Sequence, residues 1–204
     1  MRSTIKKGRK FDQVVEGART VFLRDGFEGA SVDDIAREAN VSKATLYSYF
    51  PDKRVLFLEI ASQETHRQAD AFIEHMDESQ SPAELLPVAG RKILDYVLSD
   101  MGLAVFRIAV AESDRFPEIG EKFYESGPGL IKSRLSQYLG SCVAAGQLQI
   151  EDLDLAAEQF ADLCKVRALT QRTFHPNSNV SDALRQKIVD SAVELFLARY
   201  GAPT

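Results

Sequence analysis

The sequence predicts an all-α protein, with a three-helix module at its N-terminus and a larger helical body behind it. Apolar residues recur at intervals of three and four along nearly the whole chain, which is the spacing of one helix face. The breaks fall at Gly26, Pro51, Phe116-Pro117, Gly127-Pro128-Gly129, Gly146 and His175–Asn179, where glycine, asparagine and proline end helices. No run alternates like a half-buried strand, and there is no internal repeat or low-complexity tract.

The elements follow in order. Phe11, Val14, Val15, Ala18, Val21 and Phe22 form the stripe of a first helix that stops at Gly26. Ser31 is an N-cap, with Asp34 three residues on as a weak capping box. Val32, Ile35, Ala36 and Ala39 face inward on the second helix. It ends at Asn40, a residue that tolerates the left-handed conformation. Ser42 caps a third helix, Lys43–Phe50, with Leu46 and Phe50 inward and Pro51 as its stop. Asp52 caps a long fourth helix reaching toward Met76. Ser81-Pro82-Ala83-Glu84 starts another, with N-cap, proline at the first helical position and a box-closing glutamate. Helical periodicity continues through Leu85–Leu98, Leu103–Ala111, Leu130–Val143, Leu155–Leu169 and Leu184–Leu197.

Composition bounds the possibilities. A chain of 204 residues with 45% hydrophobic and 27% charged residues builds one or two globular domains. Its two cysteines, Cys142 and Cys164, are too few for a disulfide framework or a zinc site, and read as buried thiols in a reducing cytoplasm. The longest apolar stretch, from Met101, is interrupted at Arg107, so no membrane span is expected. No apolar stretch follows the basic N-terminus, so no signal peptide is read. Net charge is −5, but it is unevenly spread: residues 1–54 carry 11 Lys/Arg against 8 Asp/Glu, and the rest 14 against 22. Such asymmetry fits a phosphate-facing module on an acidic body, and equally fits chance.

Three short helices with a tight Ala39-Asn40-Val41-Ser42 turn have helix-turn-helix geometry, in which one helix enters the major groove and the one behind it sets its angle. The small side chains of Ala36 and Ala39 let two helices approach closely. The outward face of the third helix offers Lys43, Ala44, Thr45, Tyr47, Ser48 and Tyr49. The run from Ser31 to Lys53, SVDDIAREANVSKATLYSYFPDK, closely resembles the DNA-binding signature of the TetR family, with Ala18, Phe22, Gly26 and Phe27 at matching offsets. Asn40 departs from the glycine usual there without endangering the turn. Further on, Phe106–Glu112, Arg115–Glu118 and Phe123–Pro128 resemble an AefR-like C-terminal domain.

The resemblance implies a homeodomain-like helix-turn-helix DNA-binding domain over residues 1–52 and a ligand-sensing and dimerisation domain over 53–204. It implies a cytoplasmic homodimer that binds a palindromic double-stranded DNA operator, usually as a repressor. A small hydrophobic or amphipathic effector would release it. The last two long helices, about 153–172 and 181–200, would form a four-helix interface. The stripes Phe160/Leu163/Val166 and Ile188/Val189/Ala192/Leu195/Phe196 supply its apolar area.

Carried onto this chain, Lys43, Ala44 and Tyr47 would face base edges, and Thr45, Tyr49 and Lys53 would hold phosphates. The Ser31-capped amide end would do the same, with Ser42 opening the reading helix. Tyr47 and Tyr49 also fit a packing role. The basic arm at Lys6–Lys10 would track the backbone or enter the minor groove, or else form a solvated tail. In the sensor, Phe106, Arg107, Tyr124, Phe160 and Cys164 are candidate ligand-lining residues, although aromatics at helical spacing also make plain core. Arg107 has two readings, a salt bridge to Glu112, Asp114 or another acid, or an anchor for an acidic or carbonyl-bearing ligand.

Neither cofactor nor metal is expected, because His66, His75 and His175 lack ligand spacing. An enzyme is disfavoured by the missing nucleophile-elbow and dinucleotide motifs. Paired acids such as Asp33-Asp34 and Glu151-Asp152 sit at helix starts, where the helix dipole accounts for them. An interaction protein that kept the fold but lost DNA binding is disfavoured by the intact Lys43, Tyr47, Tyr49 and Lys53 set.

Overall fold

The computed structural model describes residues 8–74 and 80–202. Arg2, Lys6, Lys7, His75 and the expected helix end at Met76 lie outside the described residues. The described chain forms α1 (Arg9–Gly29), α2 (Val32–Glu38), α3 (Lys43–Tyr49), α4 (Lys53–Glu74), α5 (Pro82–Val97), α6 (Asp100–Glu112), α7 (Pro117–Ser126), α8 (Pro128–Ala144), α9 (Leu153–Leu163), α10 (Ala168–Phe174) and α11 (Asp182–Tyr200). One isolated antiparallel bridge joins Leu148 to Gly201. The all-α expectation holds.

Packing divides the chain into two compact units. One takes the described residues up to Thr65 together with Ala104–Phe123, and the other takes His66–Leu103 and Tyr124 onward. The first unit therefore draws on a segment well beyond residue 52.

In the first unit the apolar stripe of α1 is buried as its spacing requires, with Val14, Ala18 and Val21 at 0% exposure. Gly26 interrupts the helix at φ +70°, a conformation glycine enters without steric cost. The aromatic rings pack in two groups: Phe11 against Phe50 at 5.3 Å, and Phe57 against Phe22 and Phe27, both at 5.0 Å. Gly17 sits where α1 passes over the end of α2, and a Cβ there would lie 2.6 Å from the Ala39 backbone nitrogen. Arg54 pairs with Asp52 and with Glu112 at the end of α6, holding the Asp52 carboxyl below its ordinary range. Lys122 of α7 pairs with Glu59 at 2.6 Å.

In the second unit Leu86, Leu94, Leu139, Phe160 and Val189 are fully buried in one core. Ser81 and Glu84 close the expected capping box. The Gln149 amide donates to the Tyr200 carbonyl at 2.8 Å, and the Ala202 amide to that of Gln147 at 3.1 Å, which pins the end of α11. Cys142 and Cys164 are buried thiols, and burial pushes Cys164 up to about 12.

Three expectations need correction. The helix expected over 153–172 is two helices, because Arg167 adopts φ +64° between α9 and α10. Between the breaks at Phe116-Pro117 and Gly127-Pro128-Gly129, where no helix was expected, residues Pro117–Ser126 form α7. Finally, the stripes expected to form an interface face mostly inward: Phe160, Ile188, Val189, Ala192 and Phe196 are buried in the protomer's own core. Of those stripes Val166 and Leu195 stay exposed, and with Leu155 and Phe174 they are the exposed large apolar side chains of α9–α11 and their connections, 48–75% exposed.

Candidate nucleic-acid interface and sensor residues

The reading motif is held by two serine caps. Ser31 Oγ accepts from the Asp34 amide at 3.0 Å, and Ser42 Oγ accepts from the Thr45 amide at 3.1 Å. Each satisfies a helix-start donor that would otherwise lack a partner. Between the helices Asn40 takes φ +52°, the left-handed conformation the turn demands. The Val41 amide then donates back to the Ala36 carbonyl at 3.0 Å.

These constraints fix which face of α3 looks outward. Leu46 (1% exposed) and Phe50 (2%) anchor its inner side, leaving Lys43, Ala44, Tyr47 and Ser48 exposed together. Tyr47 is 49% exposed, so the contact reading keeps its geometry. Tyr49 is half-buried, with its ring edge-on to Phe11 at 5.8 Å, so packing accounts for much of it. Thr45 Oγ1 shares a 2.9 Å hydrogen bond with Ser42 Oγ. Lys43 pairs with Asp33, a carboxylate previously explained only by the helix dipole. Both partners are more than half exposed, so the pair is weak and easily exchanged.

Lys53 is engaged within the first unit. Its ammonium donates to the carbonyls of Phe27 (2.8 Å) and Ala30 (3.0 Å) and lies 4.4 Å from the Phe27 ring centroid.

The sensor candidates divide between the two units. In the first, Phe106 is partly buried with its ring 6.2 Å from Phe123. Arg107 is exposed. Its apolar neighbours in sequence face inward while it faces out, so the burial cost that made it conspicuous does not arise, and Glu112 is engaged by Arg54. In the second unit, Phe160 and Cys164 are fully buried and Tyr124 is 52% exposed. A Cβ on Gly90 would meet Cys164 Sγ at 2.8 Å and Phe160 Cζ at 3.3 Å, so these two are close-packed core. Among the described residues no His/Cys/Asp/Glu group has the makings of a metal site, and no helix is long and apolar enough to cross a membrane.

Gly17 was not among the residues singled out from the sequence, although it borders the α1 stripe between Val14 and Ala18, where a small residue marks close approach. The Arg54–Glu112 pair, 58 residues apart, left no local signal.

A capped helix-turn-helix with a polar outer face, ahead of a helical second unit, defines a class of transcription regulator. Residues 14–60 match the bacterial regulatory proteins of the tetR family, and residues 84–202 match the AefR-like transcriptional repressor C-terminal domain. This chain belongs to the TetR family of transcriptional regulators.

Among curated relatives, the negative regulator of the icaADBC biofilm operon, IcaR of Staphylococcus aureus strain Newman, is 37% identical over 46 residues, which is 22% of this chain and 25% of that protein. The repressor AcnR of Corynebacterium diphtheriae is 33% identical over 63 residues, 31% of this chain and 33% of that protein. These matches span only a quarter to a third of either relative. Solved structures match along nearly the full length. A regulator assigned to the TetR family from Mesorhizobium loti MAFF303099 gives a TM-score of 0.78 at 25% identity, covering 95% of this chain and 98% of that one. The flavonoid-responsive regulator FrrA gives 0.68 at 32% identity, covering 97% and 100%.

Proposed function

We propose that this protein is a ligand-responsive repressor that binds a near-palindromic operator as a homodimer in the cytoplasm. The observation that carries this reading is the outer face of α3, where Lys43, Ala44 and Tyr47 stand exposed on a helix locked from behind by Leu46 and Phe50. Lys43 leaves Asp33 to reach guanine O6 or N7, and Ala44 and Tyr47 meet neighbouring base edges. Thr45 and Tyr49 meet phosphates, while the Ser31 and Ser42 caps hold the amide ends of α2 and α3 in place. Residues 1–52 bind DNA, and residues 53–204 sense the effector and dimerise. One reading helix covers only a few base pairs, so useful specificity needs two copies. The exposed Leu155, Val166, Phe174 and Leu195 supply apolar area for that pairing. Repression is supported by the named activities of IcaR and AcnR.

The likeness to FrrA supports an amphipathic aromatic effector of the flavonoid kind. Such a ligand releases DNA only if it prefers the conformation that does not bind DNA. Coupling of about 1–3 kcal/mol lowers operator affinity by about 5–150-fold. A set of flavonoids and other amphipathic aromatics, titrated into the protein–DNA complex, tests this. At least one should displace the DNA and raise the melting temperature, and failure of both throughout the set would remove the effector reading.

The DNA contacts are tested by substitution. Lys43→Ala and Tyr47→Ala should each cost about 1–3 kcal/mol on a duplex selected by the wild-type protein, and relax preference at one or two base pairs. Binding to unselected DNA should change far less. Equal losses on both duplexes would show that these side chains do not read bases.

A further inference from the structure

We propose that Lys53 is a positioning residue of the first unit rather than a phosphate contact: its ammonium ties the carbonyl end of α1 to the first turn of α4, and so fixes where α2 begins. The consequence for DNA rests on the function proposed above, but the geometry does not. Gly26, at φ +70°, breaks the regular helical pattern of α1. Carbonyls near a helix end lack the amide donors of a continuing helix and need other partners. Lys53 Nζ supplies two of them at once, to Phe27 O at 2.8 Å and Ala30 O at 3.0 Å. Its charge rests against the Phe27 ring, 4.4 Å from the centroid, an arrangement that is itself attractive.

Ala30 is 3% exposed and directly precedes Ser31, the cap of α2. A bond to its carbonyl therefore acts on the residue from which the helix-turn-helix starts. An ammonium has three donors and no acceptor. Two donors serve backbone oxygens across 23 and 26 residues of sequence, and charge-assisted bonds of this kind are about twice as strong as neutral ones. Lys53 acts on the reading helix through α2, without touching the nucleic acid.

The test compares the full-length protein with Lys53→Met and Lys53→Arg. Each is measured on a duplex selected by the wild type from a random-sequence pool and on a duplex of unselected sequence. With the tether, Lys53→Met lowers Tm by at least about 2–4 °C and speeds amide exchange around Ala30–Val32. It weakens the selected duplex more than the unselected one. The slope of log affinity against log salt stays at the wild-type value, against the loss of about 0.9 that one phosphate contact would give. Lys53→Arg, whose guanidinium still donates to two acceptors, recovers Tm and exchange.

A slope reduced by about 0.9 overturns the proposal whatever Tm does, and an unmoved Tm with unmoved exchange overturns it whatever the slope does. If the wild type binds no duplex, it is the DNA-binding reading that fails, and Tm and exchange alone decide the tether. Should Lys53→Met not fold, Lys53→Gln keeps an amide donor and gives a smaller shift in the same readouts, and wild-type behaviour of that variant overturns the proposal.

Discussion

Gly17→Val should destabilise the first unit by about 3 kcal/mol and abolish sequence-specific DNA binding at ordinary temperatures. A Cβ at residue 17 would lie 2.6–2.7 Å from the nitrogen, Cα and Cβ of Ala39. Those atoms are mostly backbone, so no rotamer change relieves the overlap, and overpacking of this kind costs about 1–3 kcal/mol or more. The ordinary advantage of replacing a helical glycine, about 1 kcal/mol for alanine, is smaller than this cost and shrinks further for a β-branched side chain. The displaced element is the end of α2, which leads through Asn40 into the reading helix, so affinity for selected DNA should fall with stability. Gly140→Ala is the control. Its new methyl would meet only Leu153 Cδ1 at 3.4 Å, an ordinary contact, so that variant should be neutral or slightly stabilised. Urea unfolding of both variants checks the contrast, and a Gly17 variant as stable as wild type would mean that α1 and α2 do not approach as closely as described.

Phe160→Ala should cost about 3–5 kcal/mol. The side chain is fully buried, packs edge-on to Phe196 at 5.3 Å, and lies against the Gly90 position with Cys164 beside it. Removing it leaves a cavity in a close-packed core, and the surrounding helices relax only in part. The outcome also decides between two roles. A core residue loses stability in proportion to the cavity, while a residue lining a ligand site would lose the effector response and keep most of its stability. Denaturant midpoints, measured beside displacement of DNA by an effector, separate the two. A stability loss below about 1 kcal/mol would contradict the core assignment.

Legibility in the sequence followed the range of the interactions. The caps at Ser31, Ser42 and Ser81, the left-handed Asn40 and the break at Gly26 are local devices, and each stands where its residue type places it. The inner and outer faces of α3 were legible for the same reason, since a seven-residue helix with Leu46 inward leaves little freedom for Lys43 and Tyr47. The break at Arg167 was not legible: Lys165-Val166-Arg167 contains neither glycine nor proline, the residue types that announce such a turn, yet φ there is +64°. The stripes of α9 and α11 were correctly seen as apolar, but most of their residues pack inside the protomer, because periodicity shows that a face is buried without showing against what. The bonds from Lys53 to Phe27 and Ala30 were not legible in its motif, since position in a signature does not say where a flexible ammonium points. Arg107 stood out for its apolar neighbours in sequence, yet at 100° per residue those neighbours and the arginine occupy different sides of α6.

Selection of DNA from a random-sequence pool by the full-length protein, followed by the mass of the resulting complex in solution, tests the central claim most directly. The account predicts enrichment of one near-palindrome, with half-sites about 10 base pairs apart or a multiple of that, bound by an even number of 22.7 kDa chains. It predicts that the enrichment disappears when Tyr47→Ala replaces the wild type. Recovery of no preferred sequence, or of a lone half-site held tightly by a single chain, would contradict it.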